Sequence, residues 1–406
     1  MSNFHSVNLR EGLCNGCTAC VTVCPTEAVR VNSQKAEIMT TRCTDCGACL
    51  RACPNHAKTG RVDNMKDLDN YKYKIALPDP AIFGQFAPDV QPERILGSFL
   101  SLGFDEVFDV ATACDLVSKK IKEKIVKTNH PLISASCPAV IRLIQALYPD
   151  LIKNLVTIEA PLEVAGQLAR KKAIERGLDS EDIGIFYISP CPAKVTAVKR
   201  PVARKKSSVN KVLSIVDLYG NILKFANMKN TKTLQLKASG KGYGWARAGG
   251  ESLAVGAYNN VVVDGIEHVT KVLGEIEIGK LPNVDYIECW ACVGGCVGGP
   301  LVVENPFIAR VKIRKKAELL NNNVQSSGID KLDHSIFEWE EEIKPRQIMS
   351  LDNNMTVAIS KGKKLQEILS KLPGYDCGAC GAPTCRAHAE DFVQGSIQST
   401  RCVFKK

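Results

Sequence analysis

Between residues 70 and 350 two hydrophobic periods alternate along the chain. Short β-rich runs, YKYKIAL (71–77), DEVFDV (105–110), PLISAS (131–136), GIFYIS (184–189) and VDYIEC (284–289), predict strands. Apolar residues at helical spacing in PERILGSFLSLGF (92–104), DLVSKKIKEKIVK (115–127), PLEVAGQLARKKAIERG (161–177) and HVTKVLGEIEIG (268–279) predict helices between them. Such alternation predicts an α/β domain with largely parallel sheets. The polar stretch from 312 to 350, with NNNVQSSG and EWEEEIKPR, reads as surface helices and a connection. A last helical pattern, SKGKKLQEILSKL (360–372), precedes a short C-terminal region.

Cysteine changes the picture. The 406 residues contain 18 cysteines, far more than packing requires. The chain opens on no signal-peptide pattern and has no apolar run long enough for a membrane span, which points to a reducing, cytoplasmic setting where clustered cysteines bind metal. Residues 14–25 read CNGCTACVTVCP and residues 43–54 read CTDCGACLRACP. This is a repeated C-x2-C-x2-C-x3-C-P run, in which the fourth cysteine ligates the other cluster. One [4Fe-4S] cluster then takes Cys14, Cys17, Cys20 and Cys53, and the second takes Cys43, Cys46, Cys49 and Cys24. Structural zinc is the weaker competitor here, because zinc rarely uses two interlocked four-cysteine runs. Cys377, Cys380, Cys385 and Cys402 have the right count for one more cubane, although zinc competes more strongly on spacing alone.

Cys137 follows PLISAS, Cys191 follows GIFYIS, and Cys292 and Cys296 follow VDYIEC. All four lie just past the carboxyl ends of predicted strands, where parallel sheets place their sites. Four thiolates converging there would complete a fourth cubane. The formal charge of +10 then loses its nucleic-acid meaning, since four oxidised cubanes with their thiolates would remove about eight positive charges. Basic runs such as KRPVARKKSS (199–208) read as solvated loops, and neither nucleic acid nor membrane is an expected partner. Cys114 reads as a small core residue.

In order and spacing, SCPAV (136–140), SPCPAK (189–194) and ECWACVGGCVGGP (288–300) resemble the three signature segments of the iron-only, or [FeFe], hydrogenases. EVFDVATACDL, GYGWARAGGE and EIEIGKLPNVDYIECWAC agree with that family's catalytic domain, and LPGYDCGACGAPTC resembles a small four-cysteine iron–sulfur domain of anaerobic redox proteins. The resemblance implies an N-terminal 2[4Fe-4S] ferredoxin-like α+β domain (1–62), an α/β H-cluster domain (70–350) and a C-terminal [4Fe-4S] domain (355–406). It implies that Cys137, Cys191, Cys292 and Cys296 hold the cubane of the H-cluster. Cys296 would also bridge to a two-iron unit with CO, cyanide and azadithiolate, a unit absent from protein made without the maturation machinery. Lys194 matches the lysine that hydrogen-bonds a cyanide, Pro138 and Pro190 match prolines beside the pocket, and the glycines after Cys292 would let the backbone approach the two-iron unit.

Several positions depart from the family pattern. Ser136 stands where active members carry a proton-shuttling cysteine, Ser189 and Trp290 replace methionines, and Ala197 replaces a glutamate. The acidic relay expected after CDL is also missing, since VSKKIKEKI (117–125) is dominated by lysine. A serine hydroxyl is a far weaker acid than a thiol, so proton transfer should be slow or rerouted. Glu288 and Cys289 are candidates for a substitute relay. The pattern is similar to divergent members assigned a sensory role, with H2 and protons as substrates, electrons relayed through the cubanes and output passed to a separate redox or signalling protein. Two alternatives stay open: a catalytic hydrogenase with another proton route, and a non-enzymatic iron–sulfur electron-transfer or assembly protein without the two-iron unit. A homodimer is compatible with all three.

Overall fold

The computed structural model describes residues 4–128, 131–320, 333–348, 350–398 and 402–404. Its strands are β1 (Val7–Leu9), β2 (Val29–Asn32), β3 (Lys35–Ile38), β4 (Lys58–Gly60), β5 (Tyr73–Pro78), β6 (Glu106–Val107), β7 (Leu132–Ile133), β8 (Ile183–Ser189), β9 (Lys211–Ser214), β10 (Asn260–Asp264) and β11 (Tyr286–Trp290). The central region is built on two wholly parallel sheets, ordered β6-β5-β8-β9 and β10-β11-β7. Every residue of β8 and of β11 is buried, which explains their nearly unbroken apolar runs. The sequence pattern misses β9 and β10. The first is only four residues long, and the second is half exposed.

Helices cover the sheets, and their starts are encoded locally. Asp109 caps Val110–Val126, five residues earlier than the helical pattern at 115 suggests. Cys137 and Cys191 each occupy the position before a helix, with Pro138 and Pro192 in its first turn. Proline there loses no hydrogen bond, so each Cys-Pro pair sets a cysteine at a helix N-terminus just past a strand. Among the described residues, the stretch expected to hold surface helices begins inside the helix Pro306–Leu319 and has only a short turn, His334–Phe337, farther on. From Glu338 the chain runs on without regular structure and is pinned to the central domain where the Gln145 amide donates to the Lys344 carbonyl at 2.8 Å. The segment NNNVQSSG lies outside the described residues.

The N-terminal module is two antiparallel pairs, β1-β4 and β2-β3, with short helices Ala19–Thr22 and Ala48–Ala52 that mirror the sequence repeat. It is pressed onto the central domain. A Cβ added to Gly47 would fall 2.4 Å from Pro300 Cγ, so only glycine lets the Cys46 loop lie against the loop that follows Cys296. At the other end of the chain, the helices Met355–Leu369 and Cys385–Val393 pack together, and the second docks on the N-terminal module.

Because β8 carries the Cys191 loop, its packing is expected to set the stability of the whole domain. Ile185→Ala should cost about 2–5 kcal/mol in chemical denaturation, the range for a fully buried large-to-small change. A cost under about 1 kcal/mol would show that the site collapses around the cavity.

Candidate functional site

Cys137, Cys191, Cys292 and Cys296 come together where the carboxyl ends of β7, β8 and β11 meet. All four are buried, and the Cys191 thiol is raised by desolvation and by the neighbouring Cys292 and Cys137. Cys296 is pushed up by burial too, against the pull of Lys194. Four thiols crowded out of water cannot all ionise without a cation, and soft sulfur donors of this kind suit an iron–sulfur centre. The donor set therefore fits a cubane.

Cys296 alone of the four also lines an adjoining cavity. Its walls include Asp79, Cys114, Ser136, Lys194 and Trp290. Lys194 Nζ donates to Asp79 Oδ2 at 2.6 Å, and the Tyr187 hydroxyl donates to the same carboxylate oxygen. Desolvation acts to lower the Lys194 ammonium, but Asp79 and Cys296 outweigh it and raise it well above the usual lysine range. The cation is thus aimed at the cavity from a fixed carboxylate. Asp79 was not singled out from the sequence; its caps-and-turn signal, Asp-Pro before a helical turn, gives no hint of a lysine 115 residues away.

Ser136 Oγ donates to Glu251 Oε1 at 2.7 Å, and Tyr286 OH donates to the same oxygen at 2.6 Å. Ser134 Oγ lies 2.9 Å from both carboxylate oxygens. Glu288 accepts from the backbone N–H groups of Gly249 and Ser252, both at 2.7 Å, and from the Trp290 indole at 2.5 Å. Both glutamates are wholly buried. Glu251 lies in GYGWARAGGE, which carried the resemblance without marking this residue, because its partners are far away in sequence.

Other expected positions lie elsewhere. Cys289, next to Glu288 on β11, alternates to the other face of the strand, and its buried thiol is raised by burial and by Cys137, Glu288 and Glu251. Ser189 Oγ donates to the Cys191 carbonyl at 2.9 Å and steadies that turn from outside the cavity. The Pro190 carbonyl accepts from Leu301 N at 2.9 Å, and neither Pro190 nor Pro138 lines the cavity. Gly294 and Gly295 do not close on the cavity; a Cβ on Gly295 would meet Ala248 N at 2.6 Å. Cys114 is buried as expected but borders the cavity.

Three further cysteine sets converge. Cys14, Cys17, Cys20 and Cys53 line a cavity of ≈ 310 Å³, and Cys377, Cys380, Cys385 and Cys402 line one of ≈ 300 Å³. Burial raises the Cys46 thiol to about 12, with Cys24 adding to the effect, and Cys49 is raised by burial, Cys46 and Cys24. Cys43 is likewise raised by burial and by Asp45, with Cys46 and Cys49 contributing. Cys46 also senses Cys292, which ties this set to the central one.

The comparisons with known proteins agree with this geometry. The family described as "Iron only hydrogenase large subunit, C-terminal domain" matches residues 72–261 and 252–300. The chain belongs to the iron-only hydrogenase family. A 4Fe-4S dicluster domain matches 6–54, and an Fe-S cluster domain matches 372–404. This hydrogenase-family chain is 27% identical over 361 residues to the periplasmic [Fe] hydrogenase large subunit of Nitratidesulfovibrio vulgaris, covering 73% of this chain and 86% of that one. It is 22% identical to iron hydrogenase 1 of Clostridium pasteurianum over 63% of this chain and 56% of the relative. A glutamate-to-alanine variant of [FeFe]-hydrogenase HydA1 from Chlamydomonas reinhardtii shares the fold, with a TM-score of 0.54, 16% identity, and coverage of 70% of this chain and 98% of that one.

The Glu251 network gives the site a pH signature. Burial pushes this carboxyl up to about 7 from 4.5, and the Glu288 carboxylate adds to the effect. The folded chain holds the proton more tightly than the unfolded chain, so this contribution is complete at low pH and fades as pH rises from 4.5 to about 7. Glu251→Gln should flatten that fall by up to about 3 kcal/mol in denaturant unfolding compared at pH ~5 and ~8. An unchanged slope would mean that Glu251 is ionised throughout.

Proposed function

We propose that this chain is a hydrogen-responsive iron-only hydrogenase of low turnover, a sensor whose site binds H2 and exchanges protons slowly. The observation that carries the reading is the position of Cys296, at once one of four converging thiols and a wall of the cavity that Lys194 also lines. Cys137, Cys191, Cys292 and Cys296 would hold the cubane, and Cys296 and Lys194 the adjoining two-iron unit. When bound, that unit, with its CO, cyanide and azadithiolate ligands, supplies an open iron site and a base that together split H2 into hydride and proton.

The chain's own residues do the rest. Asp79 and Tyr187 fix Lys194 so that its charge can balance an anionic ligand in the cavity. Trp290 fills a wall and keeps water out, held by its bond to Glu288. Ser136 reaches the cavity on one side and Glu251 on the other, so its hydroxyl offers a proton a path from the cavity to the Glu251 carboxylate. A hydroxyl can relay by accepting and donating in concert, but it is a poor acid, and slow exchange follows. Glu288 lies beyond as a second acidic station, with Cys289 beside it on β11. Slow turnover with retained binding is what a sensor requires.

Three cubanes beyond the central one would carry electrons to a redox or signalling protein. Among the described residues no helix is long and apolar enough to cross a membrane. Clustered thiols at ligand spacing suit a reducing, cytoplasmic setting, although one relative is named as periplasmic.

Replacing the hydroxyl by a thiol tests the reading. Ser136→Cys, in protein carrying the two-iron unit, should raise H2 turnover by about 100-fold or more, the range for a restored proton donor. Turnover already high in the unaltered protein, and unmoved by the change, would favour a catalytic enzyme with another proton route.

A further inference from the structure

The C-terminal four-cysteine module has no obvious place on an electron line when read from the sequence. In the folded chain it is not a separate appendage. Its helix Cys385–Val393 carries Glu390 and Asp391 into a buried contact with the N-terminal module. The Arg30 guanidinium forks onto Asp391, with Nη2 donating to Oδ1 at 3.2 Å and Nε to Oδ2. Arg42 Nη2 donates to Glu390 Oε2 at 3.0 Å, and Thr384 Oγ1 to Glu27 Oε1 at 3.1 Å. Both arginines are buried, so these are register-setting ion pairs and not solvated surface contacts.

The clamp brings two cysteine cradles into contact. Gly381, the residue after Cys380, accepts from Val31 N at 2.8 Å. Its φ is +88°, and an added Cβ would lie 2.0 Å from the Val31 carbonyl oxygen, so the loop lies flush against β2. Val31 in turn lines the cavity enclosed by Cys14, Cys17, Cys20 and Cys53. A Cβ added to Gly378, after Cys377, would lie 3.5 Å from Thr22 Cγ2, at the end of the helix that carries Cys20. Farther in, Gly47 packs the Cys46 loop on Pro300, in the loop that follows Cys296.

We propose that the C-terminal module is the outer end of a single four-station electron line, joined to the N-terminal module through Gly381 and Val31. The order is the Cys377, Cys380, Cys385, Cys402 cradle, then Cys14, Cys17, Cys20, Cys53, then Cys24, Cys43, Cys46, Cys49, then Cys137, Cys191, Cys292, Cys296. The step assigned to the Gly381–Val31 contact is the transfer of one electron between neighbouring cubanes: the inner goes from the 1+ to the 2+ state as the outer goes from 2+ to 1+, and no proton moves. Cys377 is exposed, so the line ends at the surface. This inference rests on the cubane assignments above and not on the two-iron unit.

The test is therefore made without that unit. Full-length protein is reconstituted with iron and sulfide only, reduced with dithionite, and examined by electron paramagnetic resonance. The intact chain should show spin–spin splitting between the outer cubane and its neighbour. Gly381→Ala, which keeps every cysteine, should lose that splitting at unchanged iron content. Cys385→Ala, which removes the outer cubane, should leave a sharper spectrum from the inner ones. An intact spectrum equal to the sum of isolated cubane signals, unmoved by Gly381→Ala, would overturn the proposal, as would zinc in the outer cradle. Because H2 chemistry plays no part in the measurement, its failure would leave the hydrogenase reading standing.

Discussion

Everything in this protein depends on gathering thiols where water cannot reach them. Cys137, Cys191, Cys292 and Cys296 stand buried at the carboxyl ends of strands from two parallel sheets, and burial makes Cys191, Cys292 and Cys296 reluctant to ionise. Ordinary core packing would avoid that arrangement, since a desolvated, mutually repelling set of sulfurs is costly until a cation neutralises it. The sheets supply convergence, the Cys-Pro helix starts supply aim, and the N-terminal module closes the site with Gly47 against Pro300. The fold is a frame for metal that the chain alone cannot replace.

Around that frame the polar residues divide into two buried systems. On one side of the cavity, Lys194, Asp79 and Tyr187 form a rigid cationic contact. On the other, Ser136, Ser134, Tyr286 and Glu251 form a proton-holding network, with Glu288 behind it. The first can balance an anion in the cavity, and in the second a hydroxyl stands between the cavity and the Glu251 carboxylate. On the reading proposed above, that pairing suits a site that reports H2 more than one that consumes it.

The cysteines were legible in the sequence because ligand spacing is local: four within eleven residues, twice, leave few other readings. The strands that precede Cys191 and Cys292 were legible for the same reason, as unbroken apolar runs. Glu251 was not, since it meets Ser136 across 115 residues and nothing in its own neighbourhood marks it as a proton acceptor. The docking of the C-terminal module was equally invisible, resting on Arg30 and Asp391, which lie 361 positions apart.

The central claim is that the cavity beside Cys296 receives a two-iron unit. Infrared spectroscopy tests it most directly, on protein reconstituted with iron, sulfide and the synthetic two-iron cofactor and then exposed to H2. The account predicts sharp protein-bound CO and cyanide bands that shift under H2 and are displaced in Lys194→Met. Intact cubanes with no protein-bound bands would contradict it and leave an iron–sulfur electron-transfer or assembly protein on a hydrogenase scaffold.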